Sequence, residues 1–371
     1  MFKEKKQIKR VVIKIGSSSL TSMHGELSRR KLEKLADQIV ELKDAGYETV
    51  LVSSGAVAAG YRKLGCIKRP SALPEKQAAA SIGQGLLMES YSELFLSHGY
   101  VASQLLITRS DFSDETRYGN MKNTMNVLLE RGIIPIVNEN DTVTVDRLKF
   151  GDNDTLSAKV AALIGADFLI ILSDIDGLFN DNPNNNPDAK LLKKVDAITP
   201  EIEAAAGGTG SPVGTGGMKS KIAAFKIAMA SGIQSFLGKS STRDILMDAV
   251  KGTARGTYFE PKPNAFNLDK KKQWIAFHSG PEGKIIISQK AKTAIIDQQR
   301  NIYPIDIQEV NGRFNDGAVV TILDEEGEEF GLGRINFSTE QLTQETKNET
   351  AAAIDQETFV CALDFSMKVP S

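Results

Sequence analysis

Six short polar stretches hold the residue types from which a phosphoryl-transfer site can be built. They are Lys14-Ile15-Gly16-Ser17-Ser18-Ser19, Ser53-Ser54-Gly55-Ala56, Asn138-Glu139-Asn140-Asp141, Gly151-Asp152-Asn153-Asp154, Ser173-Asp174 and Thr215-Gly216-Gly217-Met218-Lys219-Ser220-Lys221. Glycine and small hydroxyl residues leave backbone N–H groups open to an anion, and Lys14 and Lys221 add positive charge. Taken singly each stretch is ordinary. Asp-Asn-Asp is a common turn, small residues before a helix are common caps, and a lysine at a strand end commonly snorkels. Taken together they supply what transfer of a phosphoryl group needs: phosphates cradled, charge neutralised, and reactants held in line. The usual nucleotide fingerprints are missing. There is no GxxxxGK[ST], of which Gly217-Met218-Lys219-Ser220 is only a fragment, no GxGxxG after a strand, and no HRD or DFG.

Four of the six stretches follow a short β-branched run, the one at 151–154 follows the segment 142–150, and the one at 215–221 opens a helical pattern. The runs are 10–15, 48–52, 101–107, 133–137, 168–172 and 233–237, and between them lie helical patterns at 29–45, 75–97, 118–131, 155–164 and 218–231. In the first helix Leu32, Leu35, Ile39 and Leu42 share a face, and Gly46 stands where a C-terminal cap belongs. Strand–helix alternation with nearly continuous apolar strands predicts an α/β fold, a three-layer α/β/α sandwich around a mainly parallel sheet. Ligands in such sheets bind beyond the carboxyl ends of the strands, where these stretches fall. Residues 142–150 read as a small hairpin, 180–188 as a polar loop, and 207–217 as a glycine-rich lead into a helix.

After about residue 260 the pattern changes to short strands with Gly and Asp turns, at 284–287, 302–310, 318–323 and 331–337. The organisation expected is a catalytic domain over 1–261, a linker over 262–278, a β-rich domain over 279–357 and a tail over 358–371. The 371 residues carry 45 basic and 47 acidic side chains, so a generally basic nucleic-acid coat is disfavoured. In 279–357 seven Lys/Arg face fifteen Asp/Glu, a formal charge of −8, which repels a phosphate backbone. The three histidines lack metal-ligand spacing, and the two cysteines, Cys66 and Cys361, build no disulfide framework. No run approaches the ~18 apolar residues of a membrane span. Lys9, Arg10 and Lys14 interrupt the one leader-like stretch, so a cytoplasmic protein is expected.

The blocks Val12-Ile-Lys14-Ile-Gly16, Val52-Ser-Ser54-Gly55-Ala56, Val137-Asn-Glu-Asn-Asp141, Gly151-Asp-Asn153-Asp154, Ser173-Asp174 and Thr215-Gly-Gly-Met-Lys-Ser-Lys221, in this order, resemble those of the amino acid kinase family. With the β-rich C-terminal part, which looks like a PUA domain, they resemble its glutamate-phosphorylating branch. Ser173 stands where that family usually has threonine, and the tail from Phe359 to Phe365 departs from its usual ending. The resemblance implies transfer of the ATP γ-phosphoryl group to the γ-carboxylate of L-glutamate, the first step of proline biosynthesis, with Mg²⁺ accompanying the nucleotide; no metal-binding residue is assigned. It implies Lys14, Lys221 and Asp154 as the catalytic group: the two lysines stabilise the transferring phosphoryl and Asp154 holds both. Ser54, Asp141 and Asn153 match glutamate-binding positions. Lys14, Ser173, Asp174, Thr215, Gly216, Gly217, Met218, Lys219, Ser220 and Lys221 match ATP-binding ones.

The same resemblance implies a homodimer or homotetramer, and a glutamyl phosphate reductase as the consumer of the product. Two other readings stay open on sequence alone. One is a family member with another acceptor, such as N-acetylglutamate, aspartate or uridylate. The other is an RNA-binding PUA protein with a kinase-like body, which rests on fold-level likeness only.

Overall fold

The computed structural model describes residues 9–22, 25–143, 153–181, 186, 188–206, 217–261, 269–343 and 351–362. The chain divides into two units, one of Met1–Asp111 with Glu115–Pro263 and one of Phe112–Asp114 with Asn264–Ser371.

In the first unit β1 (Arg10–Ile15), β2 (Glu48–Ser53), β3 (Ala102–Ile107), β4 (Ile134–Glu139), β5 (Phe168–Ser173), β6 (Lys194–Val195), β7 (Gln234–Lys239) and β8 (Thr257–Phe259) form one sheet. Among the described residues its order is β3-β4-β2-β1-β5-β7-β8-β6, parallel throughout except between β7 and β8. The chain winds outward from β1 as far as β3, then returns past β1 to β5, so the carboxyl ends of β1, β2, β4 and β5 open on one edge. β6 and β8, absent from the sequence reading, span only two and three residues, too few to make a periodic signal. Helices α1 (Ser17–Leu20), α2 (Arg29–Asp44), α3 (Ala56–Gly60), α4 (Leu73–Ser97), α5 (Arg109–Ser113), α6 (Glu115–Glu130), α7 (Asn153–Ile164), α8 (Pro200–Ala206), α9 (Met218–Ala230) and α10 (Ile245–Lys251) run between the strands.

Side-chain alternation along β1 builds the three layers. Val11, Ile13 and Ile15 pack with Leu32, Leu35, Ile39 and Leu42 of α2 in one core cluster. Even-numbered residues point to the other face, which is why Lys14 meets the start of α7. α2 stops as its sequence predicts. Gly46 takes a φ of +88°, its N–H donates to Lys43 O at 2.9 Å, and that of Tyr47 to Leu42 O at 3.0 Å, a Schellman closure. α3 and α4 meet backbone to backbone. A Cβ on Gly83 would lie 1.8 Å from Ala56 O, and one on Gly60 1.9 Å from Ala79 O.

The second unit holds β9 (Gly283–Ile287), β10 (Ile307–Asn311), β11 (Val319–Leu323), β12 (Glu329–Arg334) and β13 (Phe359–Cys361), ordered β10-β9-β11-β12-β13, with only β9–β11 parallel among the described residues. Its core joins Ile285, Ile287, Val320, Ile322, Phe330 and Phe359. Ala291 and Ile295, of α12 (Gln289–Gln298), complete it. Three details differ from the sequence reading. The stretch expected as linker is helical over α11 (Lys270–Phe277), where Asp269 Oδ1 accepts the Lys272 N–H at 2.8 Å; 262–268 lie outside the described residues. Pro304 opens a 3₁₀ turn, so β10 begins only at Ile307. The divergent tail supplies β13, pairing Gly331 with Cys361 and Gly333 with Phe359. Strand pairing is made by the backbone, and Gly331, whose Cβ would meet Val360 O at 2.3 Å, leaves room for it. A short helix, α13 (Thr339–Thr343), follows β12.

Among the described residues no helix is long and apolar enough to cross a membrane. The expected hairpin over 142–150 falls outside them from residue 144 onward, as do parts of 180–188 and all of 207–216.

Candidate functional site

The site starts from a carboxylate. Asp154 stands in the first turn of α7, where the helix N-terminus favours an anion, and its side chain is wholly buried. One oxygen, Oδ1, pairs with Lys14 Nζ. The other, Oδ2, meets Lys221 Nζ at 3.1 Å and accepts the Ser220 hydroxyl at 3.0 Å. Three elements distant in the chain thereby converge: Lys14 from the end of β1, Asp154 from α7, and Ser220 with Lys221 from the first turn of α9. Lys14 and Lys221 are themselves about 95% buried, with relative exposures of 5% and 6%. Burial alone pushes the Asp154 carboxyl up. The charges of Lys14 and Lys221, with their hydrogen bonds, outweigh it and hold the group below the usual carboxylate range. The trio carries a formal surplus of one positive charge in a low-dielectric setting, which suits a developing phosphoryl charge.

Next to this charged group lies a neutral one. Asn153 Nδ2 lies 2.9 Å from Ser54 Oγ, 3.0 Å from Ser53 O and 2.8 Å from Asn138 Oδ1, three acceptors shared by one amide group. Asn138 Oδ1 also accepts the Glu139 N–H at 2.9 Å, and its Nδ2 donates to Gln84 Oε1 at 2.9 Å. Behind Ser53, the Tyr91 hydroxyl sits 2.9 Å from Ser53 Oγ, and burial pushes that phenol's pKa up. Ser54 N–H donates to Ile15 O at 3.2 Å, tying the end of β2 to that of β1. Gly55 follows with a φ of +114°, a left-handed conformation in which a side chain would be strained, and turns the chain into α3. At Gly16 a Cβ would stand 3.6 Å from Lys14 Nζ, an ordinary contact, so space alone does not require the glycine there.

Of the residues singled out in the sequence, the fold thus brings Lys14, Asp154, Ser220 and Lys221 into one cluster and Ser54 and Asn153 into the adjoining one. Asp141 stands half-buried in the turn after β4. Ser173 ends β5, buried, with its hydroxyl donating to Asp174 Oδ1 at 3.0 Å, and Asp174 is exposed. Gly217 is the exposed N-cap of α9, followed by a half-buried Met218 and an exposed Lys219. Thr215 and Gly216 lie outside the described residues, as do Gly151 and Asp152. Sequence reasoning gave no role to Gln84 or Tyr91, and treated Asn138 only as part of a block. Gln84 is one of many polar residues on a long helix with almost no amphipathic contrast, so its sequence context carried no signal.

Residues 9–239 match the model of the amino acid kinase family, and residues 283–355 that of the PUA domain. The chain is 66% identical over 365 residues to a protein of Bacillus licheniformis named "Glutamate 5-kinase 2", covering 96% of this chain and 98% of that one. It is 64% identical to the "Glutamate 5-kinase 2" of Bacillus subtilis, with 98% of each chain covered. Among solved structures it resembles the carbamate kinase of Giardia lamblia bound to AMP-PNP, with a TM-score of 0.50 and 21% identity over 68% of this chain and 99% of that one. At that identity the likeness concerns the fold.

Proposed function

The chain belongs to the amino acid kinase family, and on that premise we propose that it is a glutamate 5-kinase, transferring the γ-phosphoryl group of ATP to the γ-carboxylate of L-glutamate. The product, γ-glutamyl phosphate, opens proline biosynthesis. The observation that carries this reading is the near full-length identity to two proteins of that name, together with a buried carboxylate shared by two lysines at the expected sheet edge.

In the reaction a γ-carboxylate oxygen of glutamate attacks the γ-phosphorus, the bond to the β–γ bridging oxygen breaks, and ADP leaves. Both reactants are anions, so the barrier is first one of charge. Lys14 and Lys221 stabilise the phosphoryl group in transfer, and Asp154 fixes their ammonium groups so that no reorganisation is needed at the moment of reaction. Ser54 and Asn153 hydrogen-bond the glutamate, and Asp141 pairs with its ammonium. Ser173, Asp174 and the segment from Thr215 to Lys221 bind ATP. Mg²⁺ fits as an ion arriving on the triphosphate. Asp154 is already shared by two lysines, and among the described residues no group of three or more His, Cys, Asp or Glu is placed to hold a metal. Such an ion is commonly held by phosphates and water, and when bound it would neutralise part of the phosphate charge.

Residues 1–261 form the catalytic domain in this reading, since every proposed site residue precedes residue 222. The acidic span 279–357 is a PUA-like domain without a general nucleic-acid surface, set off by 262–278 and followed by the tail 358–371. The enzyme works in the cytoplasm as a homodimer or homotetramer and hands its labile product to a glutamyl phosphate reductase.

The test is hydroxamate trapping of the acyl phosphate with ATP, Mg²⁺ and L-glutamate, with N-acetylglutamate and aspartate as rival acceptors. Hydroxamate formed from glutamate in preference to both is the expected result. Preference for either rival would overturn the assignment.

A further inference from the structure

We propose that Gln84 is a substrate-binding residue of this site, its side-chain Nε2 donating a hydrogen bond to the α-carboxylate of the acceptor amino acid. The proposal rests on the reading of glutamate as that acceptor.

Gln84 lies on α4 and is 8% exposed. Its Oε1 accepts the Asn138 amide at 2.9 Å, and Asn138 in turn accepts that of Asn153 at 2.8 Å. Gln84 therefore closes the neutral network whose other end is Ser54. An amide whose oxygen is engaged has its nitrogen turned away from that partner, and here the nitrogen is also buried. Among the described residues Gln84 Nε2 finds no hydrogen-bond partner. Leaving a buried donor unmade ordinarily costs about 1–3 kcal/mol, and the large majority of buried polar groups are paired. A fixed, dry, unused donor beside substrate-binding groups is what a binding site holds ready for a ligand acceptor.

The backbone around Gln84 is fixed as well. The preceding residue, Gly83, packs against α3 so closely that a Cβ would overlap Ala56 O. α3 begins directly after Gly55, so Gln84 is held in register with Ser54 by direct contact between the two helices.

The chemistry of the network selects the ligand group. The γ-carboxylate must reach the phosphoryl group beside Lys14 and Lys221, on the Asp154 side. Gln84 stands at the opposite end of the Asn153–Asn138 relay, so its donor meets the carboxylate that does not react. A neutral amide orients that group without competing with the lysines for the reacting one.

The experiment uses the full chain, the hydroxamate assay at saturating ATP, and two variants. Gln84→Glu keeps an oxygen for Asn138 but replaces the donor with an acceptor; Gln84→Met removes both polar atoms. The KM for glutamate should rise about 10- to 100-fold, the scale of one hydrogen bond to a charged group, and more in Gln84→Glu than in Gln84→Met. The KM for ATP should stay within a factor of two or so, and kcat should fall by about fivefold at most, on the view that uniform substrate binding is lost. A wild-type KM for glutamate in Gln84→Glu would overturn the proposal, because a donor satisfied by a buried water predicts that result. Parallel loss of kcat and of both KM values, with a lowered melting temperature, would overturn it in favour of a purely structural amide. Should Gln84→Met fail to fold, Gln84→Glu decides alone. A wild-type enzyme that forms no hydroxamate from glutamate overturns the acceptor reading itself, and this proposal with it.

Discussion

Asn153 and Asp154 are neighbours in the first turn of α7, yet they organise two regions of opposite character. Asp154 gathers two lysines and a serine hydroxyl around a buried charge. Asn153 gathers a serine hydroxyl, a backbone carbonyl and a second amide with no formal charge among them. One sheet edge thereby carries groups suited to two different tasks. Transfer of a phosphoryl group needs fixed charges that need not reorganise, and these are affordable in a dry interior only when paired. Orientation of an amino acid needs directional donors, which neutral amides supply at a lower desolvation cost. Exchanging the two residues would fail on both counts. A carboxylate at 153 would face Ser53 O and Asn138 Oδ1, and an amide at 154 would leave two buried lysines without an anion.

Neutralising the charged region should cost the protein most. Asp154→Asn strands Lys14 and Lys221, and removing one partner of a buried ion pair costs about 3–5 kcal/mol. The Asp154 carboxyl is held below its ordinary value. Its stabilising contribution is therefore complete above the unfolded pKa of about 3.9 and is lost as pH falls through the lower folded value. Thermal melts of wild type and variant should differ most near neutral pH and converge as the pH drops below about 4. A gap that persists unchanged in acid would show that charge is not what Asp154 contributes.

A slightly smaller effect is expected on the reaction itself. Lys221→Ala should lower kcat by about 10²–10³, the usual loss for one transition-state donor, with little change in the KM for glutamate. Lys14→Ala should behave alike. Normal turnover in either variant would remove that lysine from the reaction.

The acceptor side should answer in binding and not in turnover. Asp141→Asn removes the proposed partner of the substrate ammonium, a loss of about 1.5–3 kcal/mol in glutamate affinity with ATP affinity retained. Calorimetric titration of each ligand separates the cases. Equal weakening for ATP and glutamate would erase the distinction between the two regions at that position.

Much of this was legible in the chain before it was folded. The parallel sheet followed from short apolar runs alternating with amphipathic helices, and β1, β5 and α2 fall where those patterns stand. The Gly46 stop of α2 was readable because a helix end leaves unmade carbonyls that a left-handed glycine satisfies locally. Lys14, Asp154 and Lys221 stand in polar stretches that are ordinary one by one, and it was their ordered combination, with its resemblance to the amino acid kinase family, that singled them out. β6, β8 and β13 were not readable, since two- or three-residue strands exist only through the neighbours they pair with. Gln84 and Asn138 stayed hidden for a related reason. An amide gives no hint in sequence of which other amide it will meet, and this pair is 54 residues apart.

By itself, then, the sequence determined the period of each element, the sheet edge on which polar residues collect, and the charge types available there. These depend on local geometry: the two-residue alternation of a strand, the 3.6-residue turn of a helix, and the conformations open to glycine. The tertiary structure alone decided which charge meets which. Whether Asp154 pairs with one lysine or two depends on how far β1 and α9 stand from α7, and that distance is set by the packing of many side chains remote from all three. It also decided that, among the described residues, the buried Gln84 Nε2 finds no partner. Only burial turns an ordinary polar side chain into one that must find a partner, and burial is a property of the folded chain.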